Sequence, residues 1–358
     1  MTLLAEPTTA ARTPVVYRPE CAVFWVYVAA LAAGIYLLVV GNGAAMYATL
    51  DAQLVLGPIW VLFVAALVWL MFRFDPMRSV RRVPQGLLAG TALGATTAVV
   101  MAMNGNTALQ NVLGRFLDPD TLTRWSAALT APLIEEASKA TCAAVILVLG
   151  CSVFHRISHA LLVGMFVGLG FDVVEDLTYA TMGALNSLDS DVSGASGDLI
   201  LRILTAIPSH WAFASLSAVG VLLLLPSFSE RAVWPRHRRI LVAVALFLSA
   251  WFMHFLWDAP GPEGPAGAGV ALLKVVVNLA IFLAWALWLL RFERRWLAER
   301  IATLPAGVPA SPDLLASLST RRRQRRLQRH ARRTGGRPAA RAVRREQRAV
   351  LDEIQSAG

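Results

Sequence analysis

Residues Ser126 to Val153 read SAALTAPLIEEASKATCAAVILVLGCSV. Apart from Glu135, Glu136 and Lys139 the run is apolar or small, and as a helix it is long enough to cross a bilayer core. On that helix Lys139 lies four residues after Glu135 and three after Glu136, so the three charged heads share one face. A charge at mid-membrane costs about 2.5–3.5 kcal/mol on insertion scales, and so costly a cluster marks a working site.

The rest of the chain has the same setting. Over 358 residues 56% are hydrophobic, and the mean hydropathy of +0.57 is far from that of a soluble domain. Apolar runs at 22–42, 53–72, 86–103, 126–150, 159–182, 207–226, 239–258 and 268–291 predict an all-α polytopic protein of the cell membrane, multi-pass, with about eight transmembrane helices. The first run is too long for a signal-peptide core and follows a long, weakly basic leader, so it reads as a span.

Loop charge sets the expected orientation. The loops at 73–85 and 227–239 carry four arginines each, and Arg156 lies between the fourth and fifth spans. The opposite loops hold Arg115, Arg124 and Arg202 among seven acidic residues. Both termini are therefore expected in the cytoplasm. The stretch 186–197, NSLDSDVSGASG, is expected to be a flexible acidic loop on the outer side.

Three segments follow: a cytoplasmic N-terminal tail at 1–21, a transmembrane core at 22–291 with its motifs within 132–258, and a basic cytoplasmic tail at 292–358, partly helical or disordered. Thirteen arginines between Arg321 and Arg348 account for the net charge of +10, and a break is expected at Gly335-Gly336-Arg337-Pro338. Anionic lipid is the expected partner of this tail, each basic residue near the surface contributing about 1 kcal/mol. The tail has no interleaved aromatics and no recognisable module, which argues against nucleic acid. Cysteines 21, 142 and 151 are odd in number and lack ligand spacing, which indicates neither a disulfide framework nor a thiolate site.

Polar residues inside the other spans supply partners for the charged face. The fifth carries Phe171, Asp172, Glu175 and Asp176, the sixth opens with Pro208-Ser-His210-Trp211, and the seventh ends with His254 and Asp258 on one face. With the alternating directions of these spans, Glu135, Glu136, Glu175, His210 and His254 fall at one depth in the outer half of the membrane. Six carboxylates there face Lys139 and two histidines. Uncompensated, the set would cost on the order of 20 kcal/mol, more than whole proteins are stable by, so protons, bound water or a divalent cation must accompany it. Lys274 and Asn278 share a face of the eighth span and suit interhelical hydrogen bonding.

Glu-Glu-x-x-Lys at 135–139, Phe-x-x-x-Glu at 171–175, His210 after a proline and His-x-x-x-Asp at 254–258 together resemble the PrsW family of intramembrane proteases, related to the CAAX-prenyl endopeptidases and the bacteriocin-processing membrane proteases. Asp176 departs from the asparagine expected after the glutamate. The resemblance implies hydrolysis of a peptide bond in a membrane-anchored, anti-sigma-factor-like substrate from the extracytoplasmic side. On this reading Glu135, Glu136, His210 and His254 are catalytic, Glu135 being the general base. Lys139, Phe171, Glu175 and Asp258 support them, Asp258 by orienting the His254 ring. A bound metal, zinc by donor type, would be held by His210, His254 and Glu175; a metal-free glutamate mechanism stands beside it. Two other classes use such residues. A proton-coupled transporter is disfavoured by the lack of an inverted repeat and by the offset polar layer, and a non-catalytic scaffold of the same family is left open by the sequence.

Overall fold

Helix α6 (Ile157–Asn186) is apolar on all sides over residues 160–171, the composition of a helix enclosed by others and not of one lying at a surface. In the computed structural model, which describes residues 15–75, 83–303 and 310–356, 94% of its membrane-length window is buried. The other helices are arranged around it. On the periphery, α1 (Ala22–Ala48) and α2 (Leu50–Met71) are each only 11% buried. They turn side chains such as Trp25, Val39, Leu54 and Leu62 outward, as lipid-facing helices do.

Helices α3 (Pro84–Leu93) and α4 (Val99–Leu113) form one rod through a π-helical turn at Gly94–Ala98. This rod runs ten residues beyond the expected end of the third span at 103. Next comes α5 (Pro119–Leu149), which carries the charged face. Its start is set by Asp118, whose carboxylate accepts from the Thr121 amide at 2.9 Å, with Pro119 in the first turn. That bond also holds the exposed Asp118 carboxyl below the ordinary carboxylate range.

The stretch expected as a flexible outer loop is helical from Asp191. Ser190 caps α7 (Asp191–Thr205) by accepting from the Ser193 amide at 3.2 Å. Val192, Ala195 and Leu199 recur at helical spacing, and Ala195 packs with Ala52, Ala180 and Ala184. The expected sixth span is correspondingly short. It begins at His210 as α8 (His210–Leu224), bent 48° from α7 across the turn at Ala206–Ser209.

Two further helices complete the bundle, α9 (Arg236–Asp258) and α10 (Gly264–Ala302). Among the described residues, six helices are long and apolar enough to cross a membrane, or seven if α7 and α8 form one broken span. The chain is thus a polytopic all-α membrane protein. Helix α5 drops out of that count because Glu135, Glu136 and Lys139 interrupt its apolar run, although its 31 residues would suffice.

No break occurs at Arg291, where the composition changes; α10 continues to Ala302. Its end packs through Trp296 and Leu297 against Leu314 and Leu318 of α11 (Pro312–Leu318) and against Val350, Leu351 and Ile354 of α12 (Arg321–Ser356). The latter is interrupted at Gly335 and Gly336, where Gly336 has φ +74°, a conformation glycine adopts without a Cβ clash. Its limbs meet again through Gln328 and Gln347 at 2.6 Å. A buried ion pair ties α10 to the start of α6: Glu293 accepts from Arg156 at 2.8 Å and from Ser158 at 2.8 Å. Residues 1–14 of the expected N-terminal tail, Arg78, Arg81 and Arg82 of the basic loop, and 304–309 of the proline-punctuated linker lie outside the described residues.

Candidate active site

Four helices bring the charged residues into contact. Lys139 of α5 is fully buried and lies 2.6 Å from Glu136 and 3.6 Å from Glu135, as their helical spacing requires. Its ammonium also sits 4.4 Å from the centroid of the Phe171 ring and 2.6 Å from His210 Nδ1. A compact ammonium can serve so many neighbours from one point where a planar guanidinium could not.

His210 opens α8, and α6 holds it there. Asp172 accepts at 3.1 Å from the Trp211 amide and at 3.1 Å from the Ser209 hydroxyl, placing a carboxylate at the positive end of the helix. Gly168 lets the two backbones touch: a Cβ there would collide with the His210 carbonyl oxygen and lie 2.6 Å from Trp211 Cα. The imidazole is gripped at both nitrogens. Lys139 donates to Nδ1, so the ring proton is on Nε2, which donates to Glu175 at 2.8 Å.

His254 of α9 faces it, with ring centroids 4.9 Å apart. Its Nδ1 donates to Glu136 at 3.0 Å. The ring is therefore oriented from that side by Glu136. Nε2 lies 3.2 Å from Asp258 Oδ2, an ion pair when the ring is protonated, and 3.8 Å from Glu135 Oε2.

Glu135 has unequal oxygens. Oε1 accepts from Asn106 of α4 at 3.1 Å, whereas Oε2 is buried, 3.8 Å from His210 Nδ1 and 3.8 Å from His254 Nε2. Neither Glu135 Oε2 nor Asp258 Oδ2 has a hydrogen-bond donor among the described residues. Buried acceptors normally find a partner. Two carboxylate oxygens without a hydrogen-bond donor beside one imidazole nitrogen, with the Lys139 ammonium 3.6 Å from one of them, make a gap that a proton, a polarised water or a cation fills.

The donor set fits a divalent metal. Glu135, His210 and His254 each offer a ligand atom within 4.8 Å of the others, and two imidazoles with a carboxylate are a zinc set of catalytic type. The structure completes the triad with Glu135. Glu175 lies instead on the far nitrogen of His210, bonded to Arg202 as well.

Beside His210 a cavity of about 30 Å³, room for one or two waters, is lined by Asp172, Asp176, Arg202, Ser209, Phe213 and Trp257 among others. Two members of the site carry no signal in the sequence: Asn106 lies past the expected end of its span, and Arg202 reads as a residue of the outer loops. The guanidinium of Arg202 pairs with Glu175 and, at 2.6 Å, with Asp176, so the extra negative charge at 176 is matched. Lys274 and Asn278 form the expected interhelical bonds, Asn278 to the Met253 carbonyl at 2.9 Å and Lys274 to the Trp257 carbonyl at 3.2 Å.

Residues 83–299, which contain all of these groups, match the family described as PrsW family intramembrane metalloprotease. No curated protein and no solved structure matches the chain.

Proposed function

Because the chain belongs to the PrsW family of intramembrane metalloproteases, whose match spans more than half of its length, we propose that it is an endopeptidase that hydrolyses a peptide bond in a membrane-anchored protein, reached from the extracytoplasmic side. Glu135 Oε2 carries this reading. It is a buried carboxylate oxygen with no donor among the described residues, between two imidazoles and held from behind by Asn106.

In the proposed reaction a water in this gap gives a proton to Glu135 as its oxygen adds to the scissile carbonyl carbon. The Lys139 ammonium stabilises the oxyanion that forms. Collapse breaks the C–N bond, Glu135 returns the proton to the leaving nitrogen, and the products are a carboxylate and an amine. Glu136 orients His254 and balances Lys139, Glu175 orients His210, Phe171 covers Lys139, and Asp258 faces the same gap from α9. In the metal-assisted version, where Glu135 would be a ligand and not the base, a divalent metal held by Glu135, His210 and His254 would polarise the water and the carbonyl.

The topology that serves this reaction has α5 as an eighth span, both termini in the cytoplasm and the site in the outer half of the bilayer. An anti-sigma-factor-like, single-pass protein is the substrate class. The arginine-rich hairpin of residues 321–356 lies on anionic lipid at the cytoplasmic face.

Co-expression with single-pass membrane proteins tests the proposal. Cells making the wild type should convert a substrate that stays whole with Glu135→Gln or His254→Ala. Equal turnover with both variants would remove these residues from the chemistry.

A further inference from the structure

Summed from the sequence, the layer around the site has too many carboxylates, and Asp176 adds one where the family pattern suggests an amide. The cation that answers it comes from α7. Arg202 reaches inward so that its side chain is 19% exposed, with its guanidinium 4.6 Å from the centroid of the Tyr179 ring. Nε donates to Asp176 at 2.6 Å and Nη2 donates to Glu175 Oε2. That same Oε2 accepts from His210 Nε2 at 2.8 Å. A planar guanidinium can hold two carboxylates at a fixed angle to each other, which an ammonium cannot.

We propose that Arg202 is a positioning residue of the peptidase centre: gripping Glu175 and Asp176 as two jaws, it fixes Glu175 and through it the ring of His210. The proposal rests on the hydrolytic reading above. Without Arg202, Glu175 keeps a single partner and is free to turn toward the adjoining water-sized cavity, and His210 loses the constraint on its outer nitrogen. Asp176 is then a constructive part of the chain's own version of the site. Helix α7, packed on α6 through Ala195 against Ala180 and Ala184 and tied to it by the two ion pairs of Arg202, belongs to the machinery although it carries no catalytic group.

The test is a double-mutant cycle on purified protein. Arg202→Met should lower kcat ten- to a hundredfold, the usual cost of losing a group that orients a catalytic imidazole, while KM stays within about twofold because Arg202 does not touch the scissile bond. Arg202→Lys keeps the charge and should recover only part of the loss. Glu175→Gln combined with Arg202→Met should be no slower than Glu175→Gln alone. Multiplying losses in the double variant, or a rise in KM at unchanged kcat, would overturn the proposal. A second readout does not require proteolysis: in protein labelled with ¹⁵N-histidine, the His210 Nε2 resonance, assigned by its disappearance in His210→Asn, should move in Arg202→Met and Arg202→Lys. An unmoved resonance overturns the positioning role. Failure of the wild type to cut any membrane protein would remove the hydrolytic reading and leave the resonance to decide the role of Arg202.

Discussion

Glu135 is useful because only one of its oxygens is occupied. A carboxylate with both oxygens satisfied has little reason to take a proton, and one with neither held has no fixed direction. Asn106 supplies the direction, through its bond to Oε1 at 3.1 Å. Asn106→Ala should therefore slow cleavage ten- to a hundredfold with unchanged thermal unfolding, measured as single-turnover rates in detergent; a rate within twofold of wild type would show that Glu135 needs no such support. The charged residues of the site were legible from their cost in lipid and their spacing. Asn106 was not, because an uncharged amide past the end of an apolar run carries no such signal. Arg202 was hidden differently: a lone arginine among acidic loop residues reads as solvated until α7 is seen to fold inward.

At the scale of elements, the site depends on how closely α6 and α8 approach. Gly164 and Gly168 make one flat strip on α6, and at both positions a Cβ would meet the backbone of α8, 2.6 Å from Ser215 Cα in the first case and 2.6 Å from Trp211 Cα in the second. Such small-x-x-x-small spacing is the usual means of bringing membrane helices together. Backbone cannot give way as a flexible side chain can, so Gly168→Ala should displace the start of α8 and His210 with it. A shift of about 1 Å can cost a hundredfold in rate, and a loss of that order at undiminished expression is the expected result; a normal rate would mean that α8 is not held by this contact. The apolar runs were legible because hydropathy and length define spans. Helix α7 was not, since its serines, glycines and aspartates have loop composition and its apolar stripe is only two turns long. In α5 the charges that reveal the site also interrupt the apolar run that would mark a span.

For the whole molecule, the sequence placed ionisable residues of four separate helices at one depth, and the folded chain brings those helices into contact around His210 and His254. That agreement was available because lipid makes buried charge costly and helical rise converts residue number into depth. Lateral neighbours were beyond its reach: which nitrogen each histidine offers, and that Glu136 holds one nitrogen of His254 while Asp258 faces the other, depend on helix rotation and packing. The most direct measurement is cleavage of a purified single-pass membrane protein in proteoliposomes prepared in H₂¹⁸O, with the new C-terminus located by mass spectrometry. A wild-type product carrying one ¹⁸O in its terminal carboxylate, cut within the outer half of the substrate's span and absent with Glu135→Gln, is the expected result. A cut made equally well by Glu135→Gln, or one confined to the substrate's soluble domain, would contradict an intramembrane peptidase built on Glu135.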